Sequence, residues 1–436
     1  MGLNGVNLAI AMAAIASDPE QAREFARSVV DRLRALGHEA LWAGGCVRDE
    51  LLGRTPADYD VATSARPDVV REAFGRGRTL AVGAAFGVIT VIGPRGSGQV
   101  EVTTFRTDAA YTDGRHPAGV AFSTAAEDAK RRDFTINGLF MDPRTGDVHD
   151  HVGGRADLEA GIVRAIGVPA LRFGEDHLRM LRAVRFAAGF GFVLDRETRA
   201  AIERLAPRAA TVSPERIAAE LRAMLSRHGR GRALELLAET RLAPVVLPEL
   251  TPAEGCVEGQ RAWLQSARVV EALDESSLEA GLAILAEGQP AALPRVVARL
   301  RLSNRESASA CWLRGALDDL APRQADELPM NRPWSTLQPW LAHRDSPVLA
   351  DILRARAAVA GGPADFAAWV TACLERPRAE LDPPPLLGGH DLIRAGCAPG
   401  PALGETLARI RQMQLDGLLA TAAEARAWLA DRPAPG

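Results

Sequence analysis

The periodicity of apolar residues changes near Gly167 in this chain of 436 residues, and that change limits the possible folds more than any other feature. Upstream of it, the helical spacing of PEQAREFARSVVDRLRALG alternates with strand-like stretches such as FGVITVIG and GQVEVTTFR. Downstream, DRETRAAIERLAP and PERIAAELRAMLSRH are typical of helices, and no stretch has a convincing strand pattern. We therefore predict a mixed α/β head followed by an all-helical remainder.

The composition, with 47% hydrophobic and 25% charged residues, is that of a globular protein, and the formal net charge of −3 neither favours nor excludes nucleic acid. The apolar run LAIAMAAIA, residues 8–16, is shorter than the ~20 residues of a membrane span, so we predict an N-terminal helix and no membrane partner. Five scattered cysteines without a CxxC motif predict no disulfide framework, no structural zinc and a cytoplasmic protein.

A pair of alternate aspartates closes the stretch GGCVRDELLGRTPADYD, residues 44–60. On a strand, Asp58 and Asp60 project to the same side, whereas Tyr59 projects to the other. Two neighbouring carboxylates repel each other unless a cation lies between them, and Mg²⁺ typically uses one or two carboxylates together with substrate phosphates. The pair therefore predicts a metal site, although two solvated aspartates on an edge strand remain the alternative.

Two further features of the head suggest a phosphate site beside this pair. A turn at Gly44 and Gly45 that opens a helix leaves N–H groups free for an anion, and Arg48 adds charge one turn later, although a simple tight turn is the alternative. In VEVTTFR, Glu101 projects opposite its two valine neighbours, so it is a candidate third carboxylate or simply an exposed strand residue.

Two basic motifs follow. A basic triplet such as that in KRRDFTINGLF, residues 130–140, is by itself typical of a solvated face. EDHLRMLRAVRF, residues 175–186, predicts one helix on which Asp176 and Arg179 share a face. Such a carboxylate accepts from the exocyclic amino group of cytosine or adenine, and the guanidinium donates to the adjacent ring nitrogen, which would exclude uracil and guanine. An intrahelical ion pair with surface arginines is the alternative.

These motifs together resemble one family. GGCVRD, ADYD, VEVTTFR, KRRDFTING, EDHLRMLRAVRF and PERIAAEL occur in the order seen in class II tRNA nucleotidyltransferases and bacterial poly(A) polymerases, over residues 35–225. Residues 398–429 also resemble the tail of CCA-adding enzymes, whereas residues 250–380 match no known pattern. The implied fold class is α+β, with a polymerase-β-like nucleotidyltransferase head (1–165) followed by an all-α neck (166–230), body (231–384) and tail (385–436).

The resemblance also implies roles for particular residues. Asp58 and Asp60 would bind catalytic Mg²⁺, with Glu101 as a candidate third catalytic residue. The implied nucleotide-binding set is Gly44, Gly45, Arg48, Arg132, Asp133, Asp176, Arg179, Arg182 and Arg185. Within it, the glycines and Arg48 would hold the triphosphate, Arg132 would contact the nucleotide with support from Asp133, and the other four would form the base pocket. Glu215 and Arg216 would brace the base-reading helix.

The implied activity is template-independent addition of CCA to the 3′ end of tRNA, with CTP and ATP as substrates and neither DNA nor membrane as partner. An A-adding enzyme, a poly(A) polymerase and a non-catalytic RNA-binding module remain alternatives. The stretch TDAAYTDGRHPAGVAFST, residues 107–124, resembles an intact flexible loop and favours full CCA addition or A addition. The sequence also lacks the basic C-terminal extension frequent in poly(A) polymerases, and the aspartate pair argues against a non-catalytic module.

Overall fold

The structure is a computed structural model that describes residues 18–108, 120–321, 329–361 and 364–431. Its contacts divide the chain into two compact units. The first comprises Met1–Glu220 with Leu236–Val246, and the second comprises Leu221–Glu235 with Leu247–Gly436. The apolar run at residues 8–16 lies outside the described residues, and so does most of the loop predicted at residues 107–124.

Helices and strands alternate through the first unit, as the sequence predicts. In chain order they are α1 (Pro19–Ala35), β1 (Ala40–Ala43), α2 (Gly45–Leu51), β2 (Tyr59–Thr63), α3 (Pro67–Phe74), β3 (Thr79–Leu80), β4 (Val88–Ile92), β5 (Gln99–Thr104), β6 (Arg106–Asp108), β7 (Val120–Phe122), α4 (Ala125–Lys130), β8 (Leu139–Met141), β9 (Val148–Asp150), α5 (Gly154–Ala160), β10 (Ile162–Val163), α6 (Pro169–Glu175), α7 (Leu178–Phe190), β11 (Val193–Leu194), α8 (Arg196–Leu205) and α9 (Pro214–Leu225). Short 3₁₀ turns lie at Arg76–Arg78, Ala84–Phe86, Thr135–Asn137 and Ala206–Thr211.

Seven of these strands form one mixed sheet in the order β3-β4-β5-β2-β1-β8-β9. The central pair β2 and β5 is parallel, and the other neighbours are antiparallel. Helix α1 begins where the Asp18 carboxylate accepts from two N–H groups of its first turn, and its apolar stripe, including Val29, Val30 and Leu33, is fully buried. The parallel centre places residues of β2 directly beside those of β5, which positions the site described below.

Two predictions about the segment after Gly167 are wrong. A short strand, β11, pairs in parallel with β10, so the remainder is not entirely helical. The stretch predicted as one helix from residue 175 is two helices, because α6 ends at Glu175 and α7 begins at Leu178. Between them Asp176 has an extended backbone, with φ −150° and ψ 107°. A two-residue strand is too short to leave a periodic pattern, and helical spacing continues across the break.

The second unit is helical wherever the structure describes it with regular secondary structure. It begins with the end of α9 and the start of α10 (Arg230–Glu239). The end of α10 and the whole of α11 (Ala243–Val246) belong to the first unit. The others are α12 (Val257–Glu271), α13 (Leu278–Leu285), α14 (Leu293–Arg299), α15 (Asn304–Asp319), α16 (Trp334–Leu341), α17 (Ser346–Ala360), α18 (Ala364–Leu374), α19 (Arg378–Leu381), α20 (Gly389–Arg394), α21 (Pro401–Leu415) and α22 (Ala422–Ala430), with 3₁₀ turns at Pro290–Ala292 and Pro329–Asn331.

The last three helices share a small apolar core of their own. Leu392, Ile410 and Ala425, one from each helix, are buried together with Leu387 and Leu419. The division into head, neck, body and tail remains a prediction. None of the helices in the described ranges combines the length and the apolar character needed to cross a membrane.

Candidate active site

Three carboxylates meet at the centre of the sheet. Asp60 lies on β2 directly opposite Glu101 on β5, and Asp58 immediately precedes β2. Tyr59 is 4% exposed on the other face, and the valines that flank Glu101 are buried as well. The predicted orientation of Asp60 and Glu101 relative to their neighbours is therefore confirmed, because side chains alternate along a strand. Asp58 lies just before the strand, and its charge contributes to the raised pKa of Asp60.

The electrostatics of Asp60 match a cation site. Burial raises the pKa of this carboxyl group to about 7, with further contributions from the negative charges of Asp58 and Glu101, while Arg132 opposes the shift. Oxygen ligands are those that Mg²⁺ prefers, and a cation would relieve the repulsion. Among the described residues, no group of three or more His, Cys, Asp or Glu side chains is arranged so that it could hold a metal ion by itself. Asp58 and Asp60 therefore fit a cation that completes its shell with substrate phosphates and water.

The turn at Gly44 lies next to Arg132. Gly44 has φ 74° and ψ −123°, caps α2, and donates its N–H to the carbonyl of Leu139 at 2.9 Å. A Cβ atom at this position would lie 2.7 Å from Nη1 of Arg132. Nη2 of Arg132 is held by the fully buried Asp128 carboxylate at 3.1 Å. The glycine turn, the arginine and the carboxylates consequently form one site.

Replacing Gly44 with alanine is expected to displace the Arg132 guanidinium and to lower kcat/KM for nucleotides by roughly ten-fold. The positive φ adds a folding cost of about 1–3 kcal/mol. Gly37→Ala is the matched control, because Gly37 has φ 84° and no atom within 4 Å of the added Cβ. Steady-state kinetics and thermal unfolding would test this. Equal kinetic losses in the two variants would contradict the placement of Arg132 at the nucleotide.

Arg48 is a buried link between α2 and α7. Its Nη1 donates to Oδ1 of Asn137 at 2.6 Å, and Nη2 lies 2.8 Å from the Asp49 carboxylate. Its guanidinium lies over the rings of Phe186 and Phe190, 5.2 and 4.5 Å from their centroids. This geometry indicates that Arg48 supports the turn at Gly44, which we term the phosphate turn. A direct contact of Arg48 with the triphosphate remains a prediction.

Asp133 joins the basic motif to α7. Its carboxylate accepts from the N–H of Phe134 at 2.8 Å, from Nδ2 of Asn137 at 3.0 Å and from Nε of Arg182 at 2.8 Å. Burial alone would raise the pKa of Asp133. The positive charge of Arg182, the hydrogen bonds and the charge of Arg179 outweigh burial and lower that pKa to about 2. Asp133 thus supports Arg182. The predicted support of Arg132 by Asp133 is wrong, because Asp128, one turn before Arg132, supplies the carboxylate that holds it.

Replacing Asp133 with asparagine is expected to lower the free energy of unfolding at pH 7 by about 2 kcal/mol. Because the folded pKa lies below the ordinary value of 3.8, this stabilisation is complete above that value. It is lost as the pH falls towards 2, so the two proteins should converge in acid. Urea unfolding across pH 2–7 would check this, with the surface pair variant Asp31→Asn as a control of small effect. A constant difference down to pH 2 would contradict the ion-pair account.

Asp176 lies between α6 and α7 and is held mainly by α9. Arg216 donates to it twice, from Nη1 to Oδ1 at 3.2 Å and from Nη2 to Oδ2 at 2.7 Å, and the N–H of Leu178 donates to Oδ1 at 3.1 Å. A carboxylate offers about four lone-pair sites, so one on Oδ2 remains for a ligand. The predicted position of Asp176 on a helix face shared with Arg179 is wrong, because Asp176 precedes the helix.

Arg179 is oriented by contacts with α6 and the basic motif. Its Nη1 donates to Oε2 of Glu175 at 2.5 Å and to the carbonyl of Arg172 at 3.0 Å, and Nη2 donates to the carbonyl of Arg131 at 3.4 Å. In the described part of the chain, no hydrogen bond or ion pair joins Arg179 to Asp176, and its Nε–H has no hydrogen-bond partner. A pre-oriented guanidinium with a spare donor suits recognition of a ring nitrogen.

Arg185 lies at the contact between α7 and α9, where it shares Glu220 and the Phe186 ring with Arg182. Its Nε donates to Oε2 of Glu220 on α9 at 2.7 Å, and its guanidinium lies 4.3 Å from the centroid of the Phe186 ring. Arg182 lies between the two groups, since it pairs with Asp133 at 2.7 Å and approaches Glu220 at 4.0 Å. The geometry favours a structural role for Arg185 between α7 and α9.

The sequence reasoning missed the residues that hold these groups in place. They are Asp128, Asn137, Glu175 and Glu220. Only Asp128 and Glu175 could have been found from the sequence, by the spacing of four residues that is typical of ion pairs on a helix. Asp128 lies four residues before Arg132, and Glu175 lies four residues before Arg179. Asn137 and Glu220 find partners far away along the chain, which periodicity does not reveal.

Two family models match the first part of the chain. The model described as "Poly A polymerase head domain" matches residues 40–164. The model described as "Probable RNA and SrmB- binding site of polymerase A" matches residues 191–254. Most residues of the candidate site lie within the first matched range, whereas Asp176 and Arg179 lie between the two.

Similar proteins agree with these models. The chain is 42% identical over 220 residues to the CCA-adding enzyme of Geobacillus kaustophilus, an alignment that covers 50% of this chain and 53% of the relative. Over 207 residues it is 44% identical to the CCA-adding enzyme of Bacillus subtilis, of which 51% is covered. The matched part thus spans about half the length of these curated relatives.

Similarity to solved structures extends along most of the chain. The Bacillus stearothermophilus CCA-adding enzyme in complex with CTP superimposes with a TM-score of 0.75 and 31% identity, over 94% of this chain and 97% of that chain. The Thermotoga maritima CCA-adding enzyme complexed with tRNA has a TM-score of 0.65 over 96% of this chain. At 20% identity, this second likeness concerns the fold alone.

Proposed function

Because this chain belongs to the family of CCA-adding enzymes, we propose that it adds cytidylate and adenylate to the 3′ end of tRNA without a template, using CTP and ATP. The observation that carries this proposal is the meeting of Asp58, Asp60 and Glu101 beside Arg132 and the Gly44 turn. The 31% identity to a CTP-bound relative along nearly its whole length supports cytidylate as one substrate.

In this proposal, Asp58 and Asp60 hold Mg²⁺, and Glu101 adds negative charge beside them. Bound there, the cation supplies positive charge that acidifies the RNA 3′ hydroxyl and neutralises the phosphates. The carboxylates orient the hydroxyl for in-line attack on the α-phosphate. Its oxygen bonds to the phosphorus as its proton passes to water, and the bond to the β-phosphate oxygen breaks to release pyrophosphate. The N–H groups of the first turn after Gly44 and the guanidinium of Arg132 bind the phosphates, and Arg48 keeps that turn in place.

The choice of base depends on Asp176 and Arg179. The spare lone pair of Asp176 accepts from the amino group of cytosine or adenine, and Arg179 donates to the neighbouring ring nitrogen. Uracil and guanine present a carbonyl oxygen where the amino group would be, and that oxygen is repelled by the carboxylate. Arg216 and Glu175 fix the two readers at separate points, which keeps their spacing constant.

The five cysteines are free thiols in the structure, which fits a reducing compartment, and we propose a cytoplasmic location. A-adding activity and polyadenylation remain the competing functions, because one matching model describes the head of a poly(A) polymerase.

Transcripts of one tRNA that end at the discriminator base, at C or at CC would separate these functions. Each is incubated with Mg²⁺ and with CTP, ATP or both, beside an unrelated RNA. We expect two cytidylates from CTP alone, one adenylate on the CC transcript, and CCA with both nucleotides. Extension of the CC transcript alone would instead assign A addition, and long adenylate tracts on the unrelated RNA would assign polyadenylation.

A further inference from the structure

A polar cluster lies directly behind the carboxylates, on the opposite face of β2. It consists of Arg23, Trp42, Glu50 and Tyr59, which we term the back-face cluster. Tyr59 donates its hydroxyl to Oε1 of Glu50 at 2.8 Å, and Nε of Arg23 lies 2.8 Å from the same oxygen. The rings of Trp42 and Tyr59 pack with centroids 4.7 Å apart, and the Arg23 guanidinium lies over Trp42.

This cluster joins the two elements that carry the reaction. Tyr59 lies between Asp58 and Asp60 on the strand, and Glu50 lies in the last turn of α2, whose first residue follows the Gly44 turn. Five residues of helix place Glu50 about 8 Å from Gly45. A shift of Glu50 relative to Tyr59 would therefore move the phosphate turn relative to the carboxylates.

The N-terminal half of α2 is held by contacts that do not involve the back-face cluster. Arg48 donates to Asn137 at 2.6 Å, and the buried Cys46 thiol lies 3.8 Å from the carbonyl oxygen of Asp60. The back-face cluster supplies the second attachment, near the other end of the same helix. Two attachments, together with the buried side chains of Cys46 and Val47, limit both the position and the tilt of this short helix.

Within the cluster, the hydrogen bond from the Tyr59 hydroxyl to Glu50 is the strongest candidate for holding β2 to α2. Tyr59 is 4% exposed and the side chain of Glu50 is 21% exposed, so the hydrogen bond of the hydroxyl to this carboxylate is largely shielded from water. The side chain of Arg23 is 51% exposed, so its ion pair with Glu50 contributes little. Replacement of Tyr59 by phenylalanine keeps the ring on Trp42 and leaves Glu50 paired with Arg23, so the fold should persist.

We propose that the hydrogen bond between Tyr59 and Glu50 fixes the metal-binding strand relative to the phosphate turn, which makes Tyr59 a positioning residue for nucleotidyl transfer. This inference rests on the proposed function. It extends the site to the far face of the sheet.

Tyr59→Phe and Glu50→Gln test the inference, with Glu24→Gln as the matched control because Glu24 pairs with Arg27 on the exposed surface of α1. We expect kcat to fall about ten-fold in both test variants, with the dissociation constant for tRNA unchanged. Calorimetric titration should show weaker binding of CTP in the presence of Mg²⁺. The double variant should lose little more than Tyr59→Phe alone, because Glu50→Gln weakens the same hydrogen bond that Tyr59→Phe removes.

Hydrogen exchange followed by mass spectrometry supplies a readout that does not depend on activity. Peptides that contain α2 and β2 should exchange faster in Tyr59→Phe and Glu50→Gln, and at the wild-type rate in Glu24→Gln. A lower melting temperature with unchanged kcat, CTP binding and exchange would overturn the proposal. Wild-type protein that binds no CTP would refute the proposed function, and the exchange rates would still decide whether the hydrogen bond holds α2 to β2.

Discussion

Replacement of Asp60 by asparagine is expected to lower kcat for nucleotide addition by about 10³-fold while leaving the dissociation constant for tRNA unchanged. Asp60 lies between Asp58 and Glu101, and burial raises its pKa to about 7, so its charge is the one most dependent on a bound cation. The amide keeps the shape of the side chain but is a poor ligand for a hard cation. Quench-flow measurement of the first nucleotide addition would give the rate.

The same substitution is also expected to change the stability of the metal-free protein. It removes one of three like charges that face each other without a cation, so the melting temperature of the metal-free protein should rise. Asp142→Asn is the control, because Asp142 accepts from Arg34 at 2.9 Å in the same unit but lies outside the candidate site. Turnover of Asp60→Asn within ten-fold of wild type would remove Asp60 from the chemistry.

Replacement of Asp176 by asparagine is expected to reduce the preference for CTP over UTP by about 10- to 100-fold. The amide can donate to the uracil carbonyl that the carboxylate repels, and it is no longer an obligatory acceptor for the cytosine amino group. The measurement is kcat/KM for each of the four nucleotides on the same tRNA. Because Arg216 holds Asp176 by two hydrogen bonds, the melting temperature should be recorded alongside.

Arg216→Gln separates base reading from support of the fold. This variant keeps the Asp176 carboxylate but removes its two guanidinium contacts. We expect weaker catalysis with all nucleotides and a smaller change in the ratio of CTP to UTP use than in Asp176→Asn. Unchanged selectivity in Asp176→Asn would refute the reading role. Equal loss of selectivity in both variants would mean that selectivity depends on the position of the Asp176 side chain rather than on its being a hydrogen-bond acceptor.

Local periodicity predicted the orientation of two strand carboxylates correctly. The alternation of strand side chains depends only on adjacent residues, so the opposite orientations of Tyr59 and Asp60, and the orientation of Glu101, could be predicted from short stretches. The glycine turn was equally local, since Gly44 has a backbone conformation that other residues rarely adopt.

The parts that could not be predicted depend on contacts between distant residues. Arg48 pairs with Asn137, 89 residues away, and Asp176 pairs with Arg216, 40 residues away. Periodicity gives helical spacing on both sides of Asp176, so the break in the helix there arises from these tertiary contacts and leaves no local signal. The base-reading roles of Asp176 and Arg179 remain predictions, and their predicted arrangement on one helix face was wrong.

Sequencing of the 3′ ends of a tRNA that initially lacks CCA, after incubation with Mg²⁺ and all four nucleotides, tests the central claim most directly. The account predicts products that end in CCA, with growth stopping there and with uridylate and guanylate almost absent. A tRNA left unextended at the discriminator base while its CC form gains one adenylate, or products that continue into long adenylate tracts, would contradict it.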